Sequence, residues 1–299
     1  MVNQQAATES AIVSAQSPRP GRYAHSFPGA QYLLPADEEE RSRLALQHEL
    51  FKRVMGGRII LPSMSFDPDA EILDSGTGSA IWLIDCRSQL PASCQFYGID
   101  IESKLYPDIP TDASNLHLSV ASITALPRSW TAKFALVNQR LLMAGLTVPD
   151  WKVALEEIHR VLKPGGFIQL MESDSDSIQS GPETAAAAEL LRRLMVASGL
   201  NHECSKNIEG MLMSAGFVDV YSEDVVVKVG KWAGRDGVDA REDFGSAFRG
   251  LKGAVLKAGG MGYADTPEEF DQKVDRQIEE WDRTEGSCTK LKAFYARKP

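Results

Sequence analysis

The chain is short of several features that would each have fixed its class. Its four cysteines, Cys86, Cys94, Cys204 and Cys288, form no CxxC pair and have no metal-ligand spacing. Neither a disulfide framework nor a metal site is therefore expected, and isolated thiols suit a reducing cytosol. No run approaches about 18 apolar residues, so no membrane-spanning helix is expected. Positive charge is scarce: 32 Lys and Arg against 41 Asp and Glu give a formal net charge of -9. Polyanions are repelled by such a surface, which argues against general binding to nucleic acid or anionic membranes. Residues 1–20 lack the basic start and apolar centre of a secretory signal, and their Gln, Ala, Ser and Pro read as a disordered lead-in.

What is present is a regular alternation of short apolar runs and amphipathic stretches within 299 residues, enough for one large α/β domain. Helical spacing over 38–55, with Asp37 as N-cap and Gly56-Gly57 as stop, precedes a strand at 71–74 and a helix at 80–90. Strands follow at 95–100, 116–120 and 134–138, then a helix at 150–162, the breaker Lys163-Pro164-Gly165-Gly166 and a strand at 167–171. This alternation predicts a doubly wound, mostly parallel sheet. The later chain changes character, with helices at 182–198, 208–215, 239–258 and 266–283 around a strand at 217–229, and a last strand at 290–297. A helical insertion before the last strand predicts a lid over the carboxyl edge. The expected organisation is a lead-in at 1–20, a helical cap at 21–57, a nucleoside-binding core at 58–230, a helical substrate cap at 231–288 and a final core strand at 289–299.

One further absence decides the nucleoside. A dinucleotide loop needs G-x-G-x-x-G to admit a pyrophosphate, but Gly76-Thr77-Gly78-Ser79-Ala80 is followed by Ile81 where the third glycine belongs. The strand before it ends in Asp74, an acid that would repel a diphosphate and suit an amino-acid ammonium group. A second acid, Asp100, ends the next strand and suits a ribose diol. S-adenosylmethionine carries that cation and no phosphate.

With these residues in view, the chain resembles the class I, seven-strand Rossmann-like S-adenosylmethionine-dependent methyltransferases. More narrowly it is similar to the fungal secondary-metabolism branch, the LaeA-like family, which includes methyltransferases and regulatory relatives. The segments that carry the likeness are Tyr32-Leu33-Leu34-Pro35-Ala36-Asp37, the loop ending in Ile81-Trp82, Tyr97-Gly98-Ile99-Asp100-Ile101, Val137-Asn138-Gln139-Arg140, Leu162-Lys163-Pro164-Gly165-Gly166 and Gln169-Leu170-Met171-Glu172. The likeness runs from about Tyr23 to the end.

The resemblance implies a Rossmann-like methyltransferase sheet with an N-terminal helical lid, S-adenosylmethionine as cofactor and S-adenosylhomocysteine as product. It places Gly76, Thr77 and Gly78 against the methionine part, Asp74 near its amine, Asp100 on the ribose and Ile101 beside the adenine. Ser122 and Ile123 flank the adenine, Asn138, Gln139 and Arg140 lie beneath the sulfonium, and Tyr32 closes over the cofactor. Two positions depart from the pattern. Ala80 stands where a further glycine is common, its methyl tolerable on a helix, and Ala121-Ser122 replaces an acid after the third strand.

Methyl transfer to a small secondary metabolite is the expected activity, with the acceptor under the helical insertion beside Trp232, Phe244, Phe248, Met261 and Tyr263. A hydroxyl acceptor needs a general base, for which His25, His202 and Glu172 are the candidates; an amine or thiol needs less. A regulatory protein with a protein partner, a non-methylating cyclase and a homodimer stay open. The cytoplasm is the expected compartment, or the nucleus for a regulator.

Overall fold

The computed structural model describes residues 33–109 and 113–299, and the side chains of 175–178 are left aside. The expected lead-in, Tyr32 and His25 lie outside the described residues.

Seven strands form one sheet in the order β3-β2-β1-β4-β5-β7-β6. The parallel strands are β1 (Glu71–Ser75), β2 (Gln95–Asp100), β3 (Leu116–Val120), β4 (Phe134–Arg140) and β5 (Leu162–Gln179), while β7 (Cys288–Arg297) runs antiparallel between β5 and β6 (Val218–Lys228). The central strands are apolar because both faces are covered: Ile72, Leu73, Phe134, Leu136 and Val137 are fully buried. Order reverses between β1 and β4, so the carboxyl ends of β1, β2 and β4 open a crevice there.

Helix α1 (Glu38–Val54) starts where expected, with the Asp37 side chain accepting from Glu40 N at 2.9 Å. Helix α2 (Ile81–Gln89) follows the glycine loop, and α3 (Val148–Val161) opens on a Thr147–Asp150 capping box with Pro149 in its first turn. Trp151, Leu155 and Ile158 on α3 join α4 (Pro182–Ala197) and α5 (Cys204–Ser214) in the core on one sheet face. The predicted helix at 239–258 proves to be two, α6 (Gly234–Gly250) and α7 (Lys252–Lys257), separated at Leu251. Helix α8 (Pro267–Arg283) buries Phe270, Val274, Gln277 and Trp281.

A buried polar network joins the N-terminal helix to the insertion. Arg43 on α1 donates to both Glu40 oxygens and, at 2.6 Å, to Asp243 on α6, whose carboxylate also accepts from Gln47 at 3.1 Å. Asp243 is fully buried, and burial pushes its carboxyl above the usual range while the Arg43 charge opposes that. The network fixes the two cap elements against each other over the sheet edge.

Candidate active site

The glycine loop is bent by left-handed backbone at three alternate positions, Gly76 (φ 68°), Gly78 (φ 54°) and Ala80 (φ 58°). A side chain at Gly76 would place its Cβ 2.8 Å from Leu142 Cδ2, so glycine is favoured there by the left-handed backbone, and a Cβ would push the Leu142 side chain aside. Ala80 corrects the sequence expectation: it precedes α2 and keeps the left-handed geometry of a glycine.

The loop is tied to β2. Thr77 N donates to the Ile99 carbonyl at 2.8 Å, and Gly78 N donates to Asp100 Oδ2 at 2.8 Å. Asp100 thus holds the loop and stands on the cavity wall.

Asp74 is only 3 % exposed, with both oxygens engaged: Thr77 Oγ1 and Asn138 Nδ2 each donate to it at 2.6 Å. Burial pushes its carboxyl up, and the Arg140 guanidinium opposes that shift first. Asn138 in turn accepts from Gln169 Nε2 at 2.8 Å, and Gln169 also donates to the Ile59 carbonyl and accepts from Leu61 N at 2.9 Å.

A cavity of about 580 Å³ opens at this edge, a size suited to small-molecule ligands. Asp74, Gly76, Thr77, Gly78, Asp100, Ile101, Ser122, Ile123 and Arg140 from the expected set all line it. Ser122 Oγ lies 2.8 Å from Thr124 Oγ1 and accepts from Thr124 N at 3.2 Å, so the departure after β3 forms a hydroxyl turn. Burial holds the Arg140 guanidinium below its usual range, and its Nη1 stands 3.5 Å from His48 Nδ1.

Four residues of the expected set do not line this cavity. Neither Asn138 nor Gln139 lines the cavity, although Arg140 does: Asn138 is buried in its hydrogen bond to Asp74, and strand alternation turns Gln139 to the other sheet face. Glu172 is fully buried and not on the cavity wall, accepting from Leu142 N at 2.9 Å and Met143 N at 3.1 Å. It holds the turn after β4, and burial raises its pKa to about 8. His202, between α4 and α5, is also off the cavity wall, and among the described residues no histidine lines it.

Of the expected acceptor residues, Phe244 and Phe248 reach the cavity. Trp232 instead donates Nε1 to the Val229 carbonyl at 2.9 Å, while Met261 and Tyr263 pack against the α8 cluster. Sequence reasoning missed Leu142, Leu191, Trp281, Ser173 and Thr289, which complete the wall. Leu142 follows a strand ending already singled out, but nothing local marks the others, which meet only through the tertiary fold.

Residues 72–166 match the family model described as a methyltransferase domain. The chain is 29 % identical over 280 residues to N-methyltransferase sirN of Leptosphaeria maculans, covering 91 % of this chain and 96 % of that one. It is 32 % identical to N-methyltransferase verN of Clonostachys rogersoniana, covering 70 % of this chain and 73 % of the relative. It is 28 % identical to the secondary metabolism regulator LAE1 of Pyricularia oryzae, covering 71 % and 67 %.

Proposed function

This chain belongs to the fungal methyltransferase family of those relatives, and from that premise we propose that it methylates a nitrogen of a small secondary metabolite with S-adenosylmethionine. The observation that carries the reading is a continuous cavity, which joins the Gly76–Gly78 loop and Asp100 to an apolar chamber under α6. Its cofactor end fits a phosphate-free adenosyl cation, since Asp74 and Asp100 supply negative charge beside the loop.

Asp100 would take the ribose hydroxyls, Ile101 and Ile123 would pack on the adenine, and the loop would pass along the methionine part. When bound, the cofactor supplies an electrophilic methyl group on sulfur. The protein then aligns a nucleophile with that methyl and excludes water, a contribution that can reach several kcal/mol.

The acceptor atom follows from the lining and the relatives. Among the described residues the wall carries no histidine, and its carboxylates Asp74, Asp100 and Asp150 are held in hydrogen bonds. A nitrogen acceptor with an available lone pair needs little base assistance, and the named activity of sirN and verN supports the same atom. No helix among the described residues is long and apolar enough to cross a membrane.

Calorimetry with S-adenosylmethionine, followed by mass spectrometry of amines incubated with methyl-deuterated cofactor, tests the proposal. A labelled methylated amine supports it. Absence of cofactor binding, or binding with no label transferred to any nitrogen acceptor, counts against it.

A further inference from the structure

Two arginines line the cavity, and they differ in what holds them. The Arg43 guanidinium donates to Glu40 and Asp243, both acids. Arg140 has no acid partner among the described residues: its Nη1 stands 3.5 Å from His48 Nδ1, and Asp74 and Asp85 act on its charge from beyond ion-pair distance. Arg140 keeps part of its surface accessible, and none of its nitrogens is both buried and unpaired. The wall of the cavity thus carries a reachable cation without a counterion, which is an unfavourable arrangement until an anion meets it.

His48 explains how Arg140 is held. His48 Nε2 lies 3.0 Å from Asp85 Oδ2, and Lys52 Nζ donates to that oxygen at 2.7 Å. Burial works against ionisation of Asp85, but the bonds from Lys52 and His48 hold its carboxyl down at about 2, so it only accepts. His48 Nε2 therefore carries a proton. Burial, then the Arg140 charge, lowers the His48 pKa, which keeps the ring neutral and leaves Nδ1 to accept from Arg140. A neutral ring orients the guanidinium without neutralising it.

The position of Arg140 narrows the anion. Asn138 and Arg140 alternate onto one face of β4, and Asn138 is bonded to Asp74, so the guanidinium stands on the Asp74 side of the sheet edge. A phosphate there would meet Asp74 as well as Arg140, whereas a zwitterion finds a countercharge at each. Asp100 ends β2, two strand spacings from β4, or about 10 Å at about 4.8 Å each. One extended molecule lying across the tip of β1 can therefore reach both Asp100 and Arg140.

We propose that Arg140 is the carboxylate-binding residue of the cavity, and that the carboxylate it takes is that of the amino-acid end of the cofactor. The inference rests on the methyltransferase reading of the same cavity and adds a residue to it. The planar fork of the guanidinium suits a carboxylate through two parallel hydrogen bonds. A carboxylate on the acceptor is the other source of the same chemistry, and the experiment separates the two.

Calorimetry on the full chain compares S-adenosylhomocysteine with its decarboxylated analogue, which keeps the nucleoside and the amine. The wild type should prefer S-adenosylhomocysteine by about tenfold or more. Arg140→Gln should abolish that preference by weakening S-adenosylhomocysteine alone, and unchanged binding of the analogue shows that the variant is folded. Arg140→Lys, which keeps the charge and loses the fork, should retain part of the preference. The second arm titrates 2-naphthoate and 2-naphthamide into protein saturated with S-adenosylhomocysteine. Loss of 2-naphthoate binding in Arg140→Gln, with S-adenosylhomocysteine affinity unchanged, overturns the cofactor assignment and gives Arg140 to an acceptor carboxylate. Equal wild-type affinity for the two nucleosides, or a preference that survives Arg140→Gln with 2-naphthoate unaffected, overturns the inference alone. A wild type that binds neither nucleoside overturns the cofactor reading together with it.

Discussion

Asn138 Nδ2 donates to Asp74 Oδ1 at 2.6 Å, and the buried amide has only one orientation in which it can do so. Its Oδ1 is fixed by Gln169 Nε2 at 2.8 Å, and Gln169 is itself oriented because its Oε1 accepts from Leu61 N, a group that can only donate. A backbone N–H in the α1–β1 connection thereby sets the polarity of a chain that ends on the acid beside the glycine loop. Gln169→Glu replaces the donor facing Asn138 with an acceptor and drives the Asn138 amide to turn its oxygen towards Asp74. The expected outcome is a loss of about 1–3 kcal/mol in stability and at least about tenfold weaker S-adenosylmethionine binding, read by thermal denaturation and calorimetry. Unchanged affinity would show that Asp74 needs no such orientation.

Gly76→Ala tests the loop. The left-handed backbone costs about 1–2 kcal/mol for any side chain, and the new Cβ would stand 2.8 Å from Leu142 Cδ2, displacing a residue of the cavity wall. Stability and cofactor affinity should both fall. Gly165→Ala is the control: its φ is also positive, but nothing lies within 4 Å of its Cβ, so only stability should fall. Equal effects of the two variants on cofactor affinity would dismiss the close approach at Gly76 as a cause.

Glu172 predicts a pH dependence. Its folded pKa is raised by burial to about 8 from the usual 4.5, so the folded state holds the proton that the unfolded state releases. The stability this gives is full below about pH 4.5 and is lost as pH rises through about 8, at about 1.4 kcal/mol per pH unit within that window. Glu172→Gln removes this slope, so its stability relative to wild type should improve from pH 5 to pH 8 in denaturant titrations. Parallel pH profiles would contradict the assignment.

The contact between caps predicts a stability effect far from the glycine loop. Asp243→Ala leaves the Arg43 charge buried with Glu40 as its remaining acid partner, and breaking a buried pair in this way costs about 3–5 kcal/mol. The midpoint of chemical denaturation should fall accordingly. A loss below about 1 kcal/mol, the range of exposed pairs, would mean that the network is open to water.

Much of the fold was legible because its signals are local. The apolar stretches Ile72-Leu73 and Phe134-Ala135-Leu136-Val137 mark buried strands, and the Asp37 cap and the Pro-Gly-Gly turn mark boundaries without reference to distant residues. The cofactor end was legible for the same reason: Asp74, Gly76, Gly78 and Asp100 sit at strand ends, whose positions follow from strand limits. Asn138 and Gln139 show where this fails. The family resemblance placed them in the pocket together with Arg140, but alternation puts Gln139 on the opposite face, and Asn138 is buried in its hydrogen bond to Asp74, off the cavity wall.

The acceptor end was beyond local reading. Thr289, Trp281, Phe248 and Leu191 come from four separate elements, and no spacing links them. The sequence by itself determined the alternating α/β order, the glycine turn and the two acids beside it, because period, cap and turn chemistry act over a few residues. Only the tertiary structure decided which side chains meet around the apolar end of the cavity, that Glu172 braces a turn and that Asp74 is oriented from Leu61. Those outcomes depend on strand order and helix packing, which bring together residues more than a hundred positions apart.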